Sequence, residues 1–433
     1  MSDYLFMLEN HLDAAQNRAV MELQRLATAA NMNVWLTGGA MRDMLRGAPI
    51  RDLDFTVEHD AVKTGKALAQ ALGGNVISED PLKRWVELAL PGNITASIGN
   101  SRTEKYAKSG GKPQIAAATI HADLARRDFT INAIALSLNR GSRGLLVDPV
   151  NGQADLMNRE LRTANPYAFF DDPNRLFRLV RFQHALGFAL APRTRSQLDN
   201  ALLEDYLATA SAAALATEIR AAALDPNAVP FLEDLSARGM LNPLSTSLSG
   251  AKLNAAGLLR FGKGAHGILP SGYEGGWLAF LSVLVEKLNI RERAEVVRAF
   301  NLTASESAVW KKLDAQTTKL EAALKSTRIH KPSQVWDVLS PASTDEVLLL
   351  LYRSGIRVVQ DRVRAYYEKY LPLSEEITDE LVLESGAKPN TPKFDKTKRA
   401  MITTRLNARP RKIEVLEPEP APVAAVGGGR ARG

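Results

Sequence analysis

Two aspartates one residue apart, in Arg51-Asp52-Leu53-Asp54-Phe55, carry the first chemical signal of the sequence. Side chains at i and i+2 share a face of a β-strand, and Leu53-Asp54-Phe55-Thr56-Val57 is rich in β-formers. Two carboxylates on one face make a hard, oxygen-rich pair suited to Mg²⁺, the cation that nucleoside triphosphate chemistry needs. Taken alone, the same pair describes an exposed strand edge. Upstream, Gly38-Gly39 stands between a strand-like run, 34–37, and a helix-like run, 40–45. Small residues at that junction let main-chain N–H groups and a helix N-terminus approach phosphate. Strand, glycine pair, helix and Asp-x-Asp strand, in that order, place a triphosphate cradle beside a cation site.

Two further clusters could do chemistry. Arg126-Arg127-Asp128-Phe129-Thr130-Ile131-Asn132 mixes cations, a carboxylate and an amide; alone it reads equally as a surface charge cluster. In Asp171-Asp172-Pro173-Asn174-Arg175, Pro173 suits the first turn of a helix, and Asp172 and Arg175 are three apart, so a helix would put them on one face. A carboxylate accepts from an exocyclic amine, and a guanidinium donates to a ring nitrogen or carbonyl oxygen. Such a pair could read the Watson–Crick edge of cytosine or adenine; it could also be a helix cap and an ion pair. Arg178 and Arg181 follow at helical spacing, to contact phosphates or to line a solvated face.

These segments resemble the motifs of the class II tRNA nucleotidyltransferase and bacterial poly(A) polymerase family, part of the polymerase-beta superfamily. Residues 36–55 resemble the first motif, which implies that Asp52 and Asp54 bind catalytic metal, with Mg²⁺ as cofactor, and that Gly38, Gly39 and Arg42 hold the triphosphate. Residues 123–133 resemble the second, implying that Arg126, Asp128 and Asn132 position a ribonucleotide. Asp148-Pro149 with Gly152, Asp155 and Arg162 resembles the third, a connector from head to neck. Residues 171–182 resemble the fourth, implying that Asp171, Asp172 and Arg175 select CTP and ATP without a nucleic-acid template, with Arg178 and Arg181 beside them. Thr217-Glu218-Ile219-Arg220 resembles a weaker fifth motif. Two positions depart from the pattern. Asp171 stands where the family usually has Glu, and Ser97 stands where superfamily members often carry a third carboxylate. Glu87, on a neighbouring predicted strand, is the nearest substitute. Residues 57–61 and 102–113 resemble the CCA-adding and A-adding branch more than the poly(A) branch.

The elements that must position these residues divide the chain. Residues 11–30 read as an amphipathic helix, and further strands are expected at 75–78, 85–90 and 93–98, with a helix at 61–72 ending at Gly73-Gly74. From about Pro173, Ala, Leu, Arg and Glu at helical spacing predict an all-helical remainder with loops near 242–250 and 262–276. Residues 385–411 show little periodicity, and the Pro-, Ala- and Gly-rich end reads as disordered. The expected class is α+β multidomain: a mixed-sheet head (1–162), then a helical neck (163–225), body (226–315), RNA-binding tail (316–412) and a disordered end (413–433). Of 433 residues, 45% are hydrophobic and 24% charged, a globular profile without an apolar run of membrane-spanning length. No signal-peptide pattern opens the chain, and the absence of cysteine excludes disulfides and thiolate metal sites; a cytoplasmic location is expected. The net charge of +7 favours a polyanionic partner. The resemblance implies a tRNA 3′-terminal nucleotidyltransferase using CTP and/or ATP. A poly(A) polymerase and a catalytically silent RNA-binding relative are the competing expectations.

Overall fold

A computed structural model describes residues 3–270 and 275–408. The expected disordered end, 413–433, lies outside the described residues, as does part of the expected loop at 262–276.

The helix expected at 11–30 is α2 (Ala14–Ala29), and a further helix, α1 (Asp3–His11), precedes it. Asp13 separates them because its carboxylate caps Ala15 and Gln16 N–H while Gln16 reaches back to the Asp13 N–H. There follow β1 (Val34–Thr37), α3 (Gly38–Leu45), β2 (Asp52–Val57), α4 (Ala61–Leu72), β3 (Asn75–Asp80), β4 (Trp85–Leu90) and β5 (Ile94–Asn100). Next come a hairpin of β6 (Arg102–Lys105) and β7 (Gln114–Ala117), then α5 (Ile120–Ala125), β8 (Ala135–Ser137) and β9 (Leu146–Val147). Seven strands form one sheet in the order β3-β4-β5-β2-β1-β8-β9. Only the β2–β5 pair is parallel, so the sheet is mixed.

Alternation along the central strands makes the two faces chemically different. Leu53, Phe55 and Val57 of β2, Ala96 and Ile98 of β5, and Val86 and Leu88 of β4 are buried in one continuous core with residues of α2 and α4. The intervening residues therefore share the opposite face. Register then aligns Asp54 with Ser97, and Ser97 with Glu87, in one cross-strand row. At the sheet's outer edge, the β3–β4 pairing shifts register between Val76 and Ser78.

Past the sheet lie α6 (Gly152–Asn158), β10 (Glu160–Leu161), α7 (Ala168–Asp171), α8 (Arg175–Leu186) and β11 (Ala189–Leu190), the last pairing in parallel with β10. Helices follow: α9 (Pro192–Leu203), α10 (Ala212–Ala222), α11 (Ala228–Ala237), α12 (Ala255–His266), α13 (Trp277–Leu284), α14 (Ile290–Ala299) and α15 (Ala304–Lys325). The chain continues through α16 (Pro332–Leu339), α17 (Thr344–Arg353), α18 (Arg357–Ala365), α19 (Leu371–Glu375), α20 (Asp379–Glu384) and α21 (Pro392–Asn407). The chain forms two compact units, one of residues 1–318 and 343–353, the other of 319–342 and 354–433. One loop expectation is corrected: α12 runs on to His266, into the first third of the expected 262–276 loop. The stretch 385–411, of little periodicity, contains α21.

Three places set the site's geometry. Gly38 begins α3 with φ +65, a conformation that favours glycine. The turn at Asp172–Asn174 separates α7 from α8. On α8, Leu176, Phe177, Leu179 and Val180 are fully buried, which holds that helix in the core while Arg178 and Arg181 stay only partly covered.

Candidate active site

The polar face of β2 forms one wall of a cavity of about 570 Å³. Asp52 and Asp54 line it together with Gly38, Gly39, Arg42, Arg126, Asp128, Asn132, Asp172, Arg175, Arg178 and Arg181. Of the residues expected to bind metal or nucleotide, only Asp171 lies off the lining.

Asp54 is fixed by neutral donors. Ser97 Oγ donates to its Oδ1 at 2.8 Å, and the Gly39 N–H donates to its Oδ2 at 3.0 Å. The glycine pair is needed for this approach. A Cβ on Gly38 would stand 3.1 Å from Asp54 Oδ2 and 3.3 Å from Arg127 Nη1, and one on Gly39 3.2 Å from the same oxygen. Each Asp54 oxygen keeps a lone pair free of these contacts. Asp52 and Asp54, with waters, fit the oxygen shell of a hard divalent cation. Among the described residues no three His, Asp or Glu side chains gather closely enough to hold a metal ion. Glu87, next to Ser97 in the row, keeps its carboxyl above the usual range, because burial and then the Asp54 charge disfavour ionisation.

The second motif builds the opposite wall. Arg42 donates to Asp43 through Nε and Nη2, and to Asn132 Oδ1 through Nη1. Asn132 Nδ2 donates to Asp128 Oδ1, and Arg178 donates to Asp128 Oδ2 at 2.8 Å. Arg178 and Arg181 both pair with the buried Glu218 of α10. One chain of hydrogen bonds thus runs from α3 through the 128–132 turn to α8 and α10. Burial would raise the Asp128 carboxyl, but the Arg178 and Arg175 charges hold it down at about 2. Burial by itself would lower the Arg178 guanidinium, and the Asp128 and Glu218 charges raise it instead. Arg126 pairs with Asp123 at 2.6 Å and with Glu104 at 3.2 Å. Three guanidiniums, those of Arg42, Arg178 and Arg181, surround the Phe182 ring at 4.5 to 5.3 Å.

The expected base-reading pair is arranged differently from the sequence expectation. Pro173 and Asn174 form a turn, α8 begins at Arg175, and Asp172 has extended backbone. The two residues therefore do not share a helix face, and they form no ion pair. Asp172 Oδ1 accepts from the Asn174 main chain and side chain, so the carboxylate favours a local turn over a helix start. Arg175, almost fully buried, donates to the carbonyls of Arg126 at 3.0 Å and of Arg127 and Ala168 at 3.5 Å. Both side chains still face the cavity. Asp171 ends α7; burial raises its carboxyl against the opposing charge of Arg175.

Sequence reasoning left several lining residues unassigned. Arg127 pairs with Asp123 at 3.0 Å and donates to Thr56 Oγ1 at 2.9 Å. Trp85 and Gly99 pair across strands beside it. The period of two, extended across three paired strands, was the signal for Trp85, Gly99 and Thr56. Glu218 was visible only as part of a weak motif.

Residues 34–162 match the family described as the poly A polymerase head domain. The chain is 41% identical over 211 residues to an A-adding tRNA nucleotidyltransferase of Halalkalibacterium halodurans, covering 46% of this chain and 49% of that protein. It is 29% identical over 346 residues to one of Aquifex aeolicus, covering 78% of this chain and 40% of that protein. The chain therefore spans about half, or less, of the length of these curated relatives. Among solved structures, a tRNA nucleotidyltransferase complexed with a primer tRNA and an incoming ATP analog superposes with TM-score 0.55 at 25% identity, over 81% of this chain and 98% of that one. A Thermotoga maritima CCA-adding enzyme complexed with tRNA shares the fold, with TM-score 0.54 at 22% identity over 94% and 95% of the two chains. The glycine turn and the carboxylate pair thus lie inside the segment, residues 34–162, that matches the poly A polymerase head domain.

Proposed function

We propose that this chain is a tRNA 3′-terminal nucleotidyltransferase of the cytoplasm that adds AMP, CMP or both from ATP and CTP and releases pyrophosphate. The observation that carries the reading is the cavity itself: two aspartates on one wall and seven arginines around the rest. That arrangement suits an anionic substrate brought to a cation. Asp52 and Asp54 would hold Mg²⁺, which when bound lowers the pKa of an attacking hydroxyl and offsets charge on the leaving oxygens. The chain's own part is positional. The α3 N-terminus and Arg42 meet the triphosphate, and the 128–132 turn meets the ribose. Arg178 and Arg181, held by Glu218, keep cationic groups fixed where phosphate charge accumulates during in-line attack of a 3′-hydroxyl on the α-phosphate. Asp172 and Arg175 face the base. The A-adding names of the two relatives favour AMP as the nucleotide added.

The test is incubation with tRNA ending at the discriminator base, at C, or at CC, with each labelled nucleoside triphosphate. Expected is Mg²⁺-dependent extension that stops after one to three nucleotides. Long homopolymer tails on any RNA primer would favour a poly(A) polymerase. No extension of any RNA, with RNA binding retained, would favour the catalytically silent relative.

A further inference from the structure

A second cavity, of about 270 Å³, opens beside the C-terminal end of α3 and shares no lining residue with the first. Arg46 stands one turn beyond Arg42 and lines it, facing Arg159. Both guanidiniums lie over the Phe188 ring, at 5.7 Å and 6.0 Å from its centroid. Leu156 and the exposed Met157 complete an apolar floor.

Positive charge here exceeds its local counter-charge. The nearest carboxylate, Asp43, already takes two hydrogen bonds from Arg42, and Arg46 reaches it only at 3.6 Å. Among the described residues, the Arg159 guanidinium has neither a carboxylate nor a hydrogen-bond acceptor. Burial lowers the Arg46 guanidinium and the Arg42 and Arg159 charges lower it further, against the pull of Asp43. The backbone of Arg159 carries a second, independent sign. It ends α6 with φ 56 and ψ 44, in the left-handed region, where a helix C-terminus favours glycine or asparagine. The strained residue there is one whose side chain brings a planar fork of donors into a cavity, the group best matched to phosphate.

We propose that Arg46 and Arg159 clamp a backbone phosphate of the bound RNA strand in this cavity, outside the reaction site. The assignment rests on the RNA substrate proposed above. The apolar floor suits the sugar beside that phosphate. Arg42 lines the first cavity and Arg46 the second, about one helical turn apart in the chain, so a polyanion that meets one can extend toward the other.

The experiment uses the full chain, wild type, Arg159→Asn and Arg46→Gln, with a tRNA transcript ending in CC. Binding is read by fluorescence anisotropy across a KCl series, KM for ATP and CTP by initial rates, and Tm by thermal melting. Each variant should weaken tRNA binding about 3- to 10-fold and flatten the log–log salt slope by about 0.7 to 0.9, one phosphate contact. KM for ATP and CTP should hold. Arg159→Asn should melt at or above the wild-type temperature, because asparagine accepts the left-handed backbone more readily. Unchanged affinity and slope in both variants, or a raised nucleotide KM with tRNA binding intact, would overturn the assignment. Wild-type protein that binds no tRNA would overturn the substrate reading as well, so the two failures are distinguishable.

Discussion

At the scale of single residues, Asp54 is held on both carboxylate oxygens, by Ser97 on one and by Gly39 on the other. Asp52→Ala or Asp54→Ala should cut nucleotide incorporation at least ~100-fold, the size of a lost transition-state charge interaction. Tm should change little; a soluble variant with near-normal incorporation would remove that carboxylate from the cation site. Ser97 gives a finer test. Ser97→Ala removes one donor from Asp54 and should raise the Mg²⁺ concentration for half-maximal rate severalfold. Ser97→Asp adds a carboxylate to the row and should lower it. Mn²⁺ affinity measured directly must move the same way; opposite shifts would deny Ser97 a part in positioning Asp54. The serine itself was legible as a departure from the family pattern. Its hydrogen bond was not, because it depends on β2 and β5 being parallel neighbours 43 residues apart.

At the scale of elements, the strands around the site were readable because period-two burial leaves a clean alternation in β4 and β5, and in β2 as far as Phe55. The start of α8 was not. Pro173 resembles a helix N1 residue, but Asp172 bonds the Asn174 backbone instead and holds a turn there. α21 shows little periodicity in the sequence because only Phe394, Ile402 and Leu406 are buried, a narrow stripe among lysines and threonines. The turn bears on base choice. Asp172 Oδ1 is committed to Asn174, and no hydrogen bond among the described residues reaches Oδ2, leaving an acceptor facing the cavity. Asp172→Ala should therefore relax discrimination against GTP and UTP by about 5- to 150-fold, from roughly 1–3 kcal/mol per unpaired group. Incorporation of all four nucleotides on one primer checks it; unchanged preference would make Asp172 only a turn-former. The 128–132 turn is tied to α8 by Asp128 and Arg178, and its contribution depends on pH. Because the Asp128 carboxyl is depressed from 3.8 to about 2, its stabilisation is complete above pH 3.8 and lost as pH falls through about 2. Its size is about 2 kcal/mol from the depressed pKa. The Tm gap between wild type and Asp128→Asn should stay constant from pH 8 to about 4 and narrow only below that; a gap that closes by pH 5 would contradict the pairing.

At the scale of the whole molecule, the sign of the charge was available from composition, and its use was not. A net charge of +7 says only that polyanions are favoured. The fold then concentrates seven arginines around one cavity, through residues that lie far apart in sequence. Affinity for tRNA should fall at least ~10-fold between about 50 and 200 mM KCl. KM for ATP should move by less than ~3-fold if the triphosphate, as proposed, meets arginines already pinned by Asp43, Asp123, Asp128 and Glu218. Anisotropy and initial rates over the same salt series decide it, and parallel losses would show that one electrostatic field serves both ligands.

The register shift in β3 has a consequence for life at high concentration. β3 is an outer strand of the sheet, with Val76 and Ile77 exposed. A flat rim bearing such residues is a template for another molecule's strand, the opening move of aggregation. The bulge between Val76 and Ser78 skews the free N–H and C=O groups out of line. Asp80 then sets a like charge against any copy that approaches in register, while Glu79 is paired with Lys66 at 2.8 Å. The sheet that carries the carboxylate pair on its face thus has a rim ill-suited to recruiting its own kind.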